Sequence, residues 1–213
     1  MDSNGCSDGV PAELAELAAA VDRLAAQNLD RLTDTARAHC LLTLRRLVDC
    51  QEGFWLRELA AIDARGAAGA DQGIQAASTA SWLRNRLRMG GNVATSAVRT
   101  ARALFRGPLT KTAQALCAGE ISAAHAAALA HGTSDLPDRV AAKAEPELVE
   151  AARRLDPPQL RRLVHHLQRA VDPDGADAKP SGAMGDAACG RPRPLRAWSP
   201  SRACWTQRPV RSC

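Results

Sequence analysis

The chain has almost nothing with which to fill a core except alanine and leucine. Aromatic residues make up only 3% of it, with no Tyr and 2 Phe, although 46% of the residues are hydrophobic. Val and Ile are few and scattered, and no run keeps the two-residue alternation of a strand. Small side chains fill space only where backbones approach closely, which helices achieve by presenting apolar residues at i, i+3 and i+4. The expected fold class is therefore all-α, a multi-helix domain, and 213 residues suffice for one domain of ordinary size.

Pro11 opens a first helix in which Leu14, Leu17, Val21 and Leu24 form one stripe, with Glu13, Glu16 and Asp22 opposite. A longer pattern from Leu29 to Ala64 carries Leu32, Leu44, Leu47, Val48, Trp55, Leu59 and Ile62. Gly53 is expected to break or kink it, because glycine inside a helix costs about 1 kcal/mol relative to alanine. Both helices are expected to pack against the later ones. The loop RGAAGADQG at 65–73 contains neither GxxxxGKS/T nor GxGxxG and reads as a connector.

Ser78 or Thr79 can cap a helix from Ala80 to about Met89, with Leu83 and Leu87 inward. On it Arg84 and Arg88 lie together, and Arg86 follows Trp82 by four residues, where a guanidinium can rest on the indole. Gly90-Gly91-Asn92 makes a turn into a helix from Val93 to Phe105 that buries Val93, Ala97, Ala101 and Leu104. Arg99, Arg102 and Arg106 fall at i, i+3 and i+7 on its other face. A short helix, a Gly turn and a helix with an arginine row form a helix-turn-helix-like layout. Further helices follow over Thr110–Ala118, ended by Gly119, and after Ser122 as N-cap. Pro146 marks a fresh helix start, and Asp156 caps the last helix with Pro157 at its first position.

Charge separates along this framework. Residues 1–71 carry 7 basic and 12 acidic residues, whereas Gln72–Gly119 has no Asp or Glu at all. Its cations are Arg84, Arg86, Arg88, Arg99, Arg102, Arg106 and Lys111. An arginine row is most often a solvated helix face, since arginine is a good helix former. A face kept only for solubility mixes both signs, however, so the missing acid favours a polyanion partner bound by counterion release. The expected partner is DNA, held through these seven residues, with base reading unassigned. The alternative is a structural or interaction domain without activity of its own.

Chemistry is not expected. The seven cysteines show no CxxC pair and no zinc-ligand spacing with histidine, and their odd number fits free thiols. His125 reads as a packed, hydrogen-bonded residue and His131 as a helix C-terminal residue favoured by the dipole. The adjacent His165 and His166 point about 100° apart on a helix and cannot share a metal. Neither a nucleophile with its base, a carboxylate pair, a metal set nor a cofactor motif is present. No signal-peptide pattern and no long uncharged apolar run occurs, so a cytoplasmic setting without a membrane partner is expected.

The segments ELAAIDARG (58–66), ASTASWLRNRLRM (77–89), TARAL (100–104), LTKTAQALCAGEISAAHAAALA (109–130) and LDPPQLRRLVHHLQRAVDPDG (155–175) resemble, in order and spacing, the actinobacterial domain of unknown function 222, the 13E12 repeat family. The resemblance spans about Leu14 to Ala178. It implies a helical domain that members often join to an HNH endonuclease domain, whose metal site needs clustered histidines. Here the last histidine is His166, so no catalytic residue carries over. ALCAGEISAAHAAALA is also loosely similar to the helix-turn-helix of chromosome-partitioning ParB proteins.

The organisation expected is a disordered N-terminus over residues 1–10, the helical domain over 11–178 and a disordered basic tail over 179–213. From Ser181 onward the chain has six arginines, four prolines, two tryptophans and three cysteines, and no helical or strand period. Such a composition arises when a GC-rich gene is read out of frame, and the tail is expected to be frameshifted and the chain truncated. Sequencing the gene checks this. A shifted frame that stays open beyond Pro180 and encodes family-like sequence is the expected result, and early stops in that frame refute it.

Overall fold

The computed structural model describes residues 11–66, 68 and 76–171, and every secondary-structure element among them is helical. Helix α1 (Ala12–Ala25) is followed by a single 3-10 turn (Leu29–Arg31) and by α2 (Asp34–Arg65). Then come α3 (Thr79–Leu87), α4 (Gly91–Phe105), α5 (Thr110–Cys117), α6 (Ala123–Gly132), α7 (Asp138–Ala152) and α8 (Pro157–Val171). None of the described helices is long and apolar enough to cross a membrane. The expected N-terminal end at 1–10 and the tail at 179–213 lie outside the described residues.

Local signals set several boundaries. Thr33 accepts from the Ala36 N–H to start α2, and Gly66 ends it in the left-handed conformation. Ser78 and Ser81 exchange backbone and side-chain hydrogen bonds at the start of α3, and Ser122 and His125 do so at α6. At α8 the Gln159 N–H donates to Asp156 Oδ1 at 2.7 Å while Gln159 Oε1 accepts from the Asp156 N–H, as the Asp156-Pro157 pair suggested.

The core lies where α4 and α6 meet the second half of α2, with α3 on α4, α5 on α2, α8 on α6, and α7 against α5 and α8. Leu83, Leu104, Leu109, Leu116, Leu129 and Leu160 are its largest fully buried side chains, and alanines such as Ala94, Ala101, Ala126 and Ala141 fill between them. At about 2 kcal/mol per fully buried leucine, these positions supply the main driving force.

Gly53 does not break α2, which runs unbroken for 32 residues. It faces α5, and a Cβ there would lie 2.9 Å from Cys117 Sγ and 3.2 Å from the Cys117 Cα. The glycine is the contact point of a close helix crossing. Pro146 likewise starts no helix. It has no N–H to give to Ala142, yet α7 continues because Ala141, Leu148, Val149 and Ala152 are buried along one stripe. Packing there outweighs the roughly 3 kcal/mol that an interior proline costs.

Three other expectations are corrected by the packing. Helix α4 contacts α2, α3 and α6 at once and turns Ala94, Val98, Ala101 and Leu104 inward, leaving Val93 58% exposed and Ala97 only half-buried. Leu87 is 52% exposed, because α3 stops there, and Leu83 is the hydrophobic residue of α3 that is fully buried, with Ala80 and Trp82 partly buried beside it. The first two helices do not both pack on the later ones. Helix α1 buries no residue, and α2 buries none before Asp49.

Gly53→Ala tests the crossing, because helix propensity alone predicts a gain. Overpacking at the Cys117 contact is expected to dominate, giving a net loss of about 1–2 kcal/mol in chemical denaturation. Adding Cys117→Ala should restore only part of it, since the backbone atoms at 3.2 Å remain.

Candidate nucleic-acid interface

All seven cations of the acid-free stretch are exposed: Arg84 and Arg86 on α3, Arg88 at its C-cap, Arg99 and Arg102 on α4, Arg106 at its C-cap, and Lys111 in the first turn of α5. Helix, tight turn and helix follow one another as expected, but the turn is built differently. Arg88 itself takes the left-handed conformation, with φ of 56°, and Gly90 and Gly91 become the N-cap and first residue of α4. Arg88 therefore leaves α3 and does not share a helical face with Arg84.

The arginine row of α4 divides. Arg102 is already committed: its Nε donates to Asp63 Oδ2 at 2.6 Å and its Nη2 to Asp63 Oδ1 at 2.8 Å. The Asp63 side chain is 5% exposed and also accepts from Thr79 Oγ1 at 2.7 Å, so the end of α2 is tied to the first residue of α3 and to α4. The Arg102 guanidinium is the main cause that holds the Asp63 carboxyl below its ordinary value, with the Thr79 hydrogen bond and Arg106 adding to it against burial. Sequence reading missed Asp63 because it lies outside the acid-free stretch, 39 residues from Arg102.

Arg99 is committed more weakly. Its Nη1 lies 3.2 Å from His131 Nδ1, and the other ring nitrogen of His131 lies 2.8 Å from Ser96 Oγ. A guanidinium only donates, so Nδ1 accepts and Nε2–H donates to the serine. Burial first, then Arg99 and Arg161, push the His131 pKa down. His131, in the last turn of α6 as expected, thus also links α6 to α4 through Ser96 and Arg99. His125 matches its expectation: its Nδ1 accepts from the Ser122 N–H and its Nε2 lies 2.9 Å from the Leu155 carbonyl.

Arg84, Arg88, Arg106 and Lys111 make no ion pair among the described residues. Arg84 lies across the turn, its Nε 3.7 Å from where a Gly91 Cβ would stand. That places a guanidinium beside the first N–H groups of α4, which has no side-chain N-cap. Every other described helix starts beside a carboxylate. Glu13, Asp34, Asp138 and Asp156 serve α1, α2, α7 and α8 from within or next to the first turn. Asp63 serves α3 through Thr79, Glu145 accepts from the Thr112 N–H in α5, and Asp49 accepts from the Ala123 N–H in α6.

Helix α6, the second helix of the ParB-like segment, is central in the fold. It buries Ala126, Ala128, Leu129 and Ala130 between α4 and α8, so it cannot enter a groove. Among the described residues no group of His, Cys, Asp and Glu could hold a metal ion.

A family model described as a domain of unknown function (DUF222) matches residues 34–187. The match begins at the first residue of α2 rather than at Leu14 and ends beyond Ala178. No curated protein and no solved structure matches the chain.

Arg102→Ala is expected to cost stability by about 1.5 kcal/mol, the low end for a charged hydrogen bond because the guanidinium is 60% exposed. Asp63 titrates below its ordinary value in the fold, so its contribution is full above about pH 3.9 and is lost as pH falls through the lowered value. Denaturation curves across the acid range should show a shallower acid loss in the variant than in the parent.

Proposed function

Since the chain belongs to the DUF222 family, whose description names no activity, we propose from its own surface that it is a non-catalytic DNA-binding domain. The observation that carries this reading is the start of α4. It is the one described helix without a carboxylate at its N-terminus, and it has a glycine pair and Arg84 there instead. A phosphate accepts hydrogen bonds from such N–H groups, favours the positive end of the helix dipole and pairs with the guanidinium. Glu52 shares a cleft with Asn92 and Val93 but makes no hydrogen bond to the first N–H groups of α4 among the described residues.

Arg84 and Arg88 sit at the start of α4, and Arg106 and Lys111 at and just beyond its end. These two groups are separated by the 15 residues of α4, about 22 Å at 1.5 Å per residue. That exceeds the roughly 12 Å width of the major groove, which fits contact with backbones on either side better than a helix reading bases within it. Arg99 and Arg102 position helices, and Arg86 is an additional exposed cation. Binding of this kind is strongly salt-dependent and weakly sequence-dependent.

Gly90→Asp separates this reading from a purely structural one. The site is open, with only Val93 Cγ2 at 3.8 Å from the new Cβ, and the backbone there suits any residue. An N-cap aspartate should raise stability by about 0.5 kcal/mol while occupying the phosphate position. Titration of duplex DNA at several salt concentrations is expected to show weaker binding and a salt slope lower by about 0.9 per lost contact. Arg84→Glu with Arg88→Glu should weaken binding further without altering helix content. Affinity unchanged in both variants, or no binding by the parent at low salt, refutes the reading and leaves a structural domain.

A further inference from the structure

The first 38 described residues hold a surface that no other described residue buries. Helix α1 buries no side chain and is absent from the helix pairs that pack together, and the Asp34–Val48 half of α2 buries none either. Eight of the thirteen large hydrophobic side chains exposed among the described residues nevertheless lie between Leu14 and Val48. Leu41 and Leu42 are 68% and 65% exposed, and Val21 and Leu47 are each 54% exposed. Apolar side chains scattered singly are ordinary on a protein surface, but this concentration on one segment, hereafter the arm, marks an interaction site.

We infer that this arm pairs with the same arm of a second copy, α1 of each chain lying on the Asp34–Val48 half of α2 of the other. Spacing supports a helical occupant. Leu14, Leu17, Val21 and Leu24 on α1 follow the 3-4-3 interval of a coiled-coil seam, and Leu41, Leu44 and Val48 on α2 follow 3-4. Net charge favours the pairing over the length of the helices, the acidic side chains of α1 lying away from its apolar stripe. Helix α1 carries Glu13, Glu16 and Asp22 against Arg23, so two copies of α1 repel, whereas Asp34–Val48 carries Arg37, Arg45 and Arg46 against Asp34. Arg37 and Arg45 already hold Asp30 and Asp49, and Arg46 makes no ion pair among the described residues. Within one chain α1 does not pack along α2, so the acidic helix meets the basic one only in trans. A two-fold arrangement then satisfies both arms at once. The 14 residues of α1 with Asp34–Val48 match the about 20–30 residues that a standard interface takes from each partner.

Light scattering after size exclusion, on the full chain at micromolar concentration and above, tests the pairing. The expected mass is twice the 22.6 kDa of the chain. Leu17→Glu with Val21→Glu changes two side chains that are already exposed, so helix content by circular dichroism should stay the same while the mass halves. Leu41→Glu with Leu42→Glu should do the same from the other side of the interface. A monomeric parent overturns the inference, because the arm is then covered by the chain itself or by nothing. A dimer that survives both variants, polydisperse aggregates, or parent protein that partitions onto zwitterionic lipid vesicles without dimerising also overturns it.

Discussion

Carboxylates that reach from one helix to the start of another hold this fold in register. Asp49 on α2 accepts from the Ala123 N–H that starts α6, across 74 residues of sequence. Asp63, also on α2, binds Thr79 at the start of α3. Glu145 on α7 is 3% exposed and accepts from both the backbone N–H and the hydroxyl of Thr112 in α5, at 2.7 and 3.0 Å. Helix α5 begins at Leu109, which offers no side-chain cap, so α7 provides what the local sequence lacks. An alanine and leucine core is smooth and tolerates sliding, whereas a buried carboxylate displaced from its N–H partner loses about 1–3 kcal/mol at once. The polar links therefore select one arrangement among several that would bury similar apolar area.

The same links explain why α2 has two characters. Its second half carries Asp49, Gly53, Leu56, Leu59, Ala60 and Asp63, contact points for α6, α5, α4 and α3 within about four turns. Close approach at Gly53 brings α5 within reach of α2, and Gly119, with φ of 67°, turns the chain beside Cys50 and the Arg46 carbonyl. The first half meets the chain at that point but buries no side chain, and there the apolar stripe meets solvent.

Features that act within four residues were legible in the sequence, and those that act across helices were not. The all-α class, the Ser122 cap, the Gly119 stop and the Asp156-Pro157 helix start depend on neighbours in sequence and stand in the structure as read. Gly53 looked like a breaker because its partner, Cys117, is 64 positions away. Arg102 looked like a free surface cation for the same reason, its partner Asp63 being 39 residues upstream. The stripe of α1 showed that a face wants cover and could not show that the described chain provides none. Of the candidate site, the set of cations was readable, but not which of them the fold had already used.

Charge separation and helix capping are two sides of one pattern. Helices α3, α4, α5 and α6 carry no acidic residue in their first turns, which is unusual for four helices in succession. For three of them the acid is supplied from α2 or α7, which are the segments on either side of the acid-free stretch. Part of the missing acid is therefore structural: the negative ends have been moved to the neighbouring helices, and they are mostly buried where they act. That relocation leaves the outer surface of α3, the turn and α4 positive without weakening the fold. It does not extend to α4, whose N-terminus keeps its full positive character beside Arg84. A chain that places a carboxylate in or beside the first turn of every other described helix puts a glycine pair and Arg84 at this one, so the start of α4 presents N–H groups and a guanidinium together.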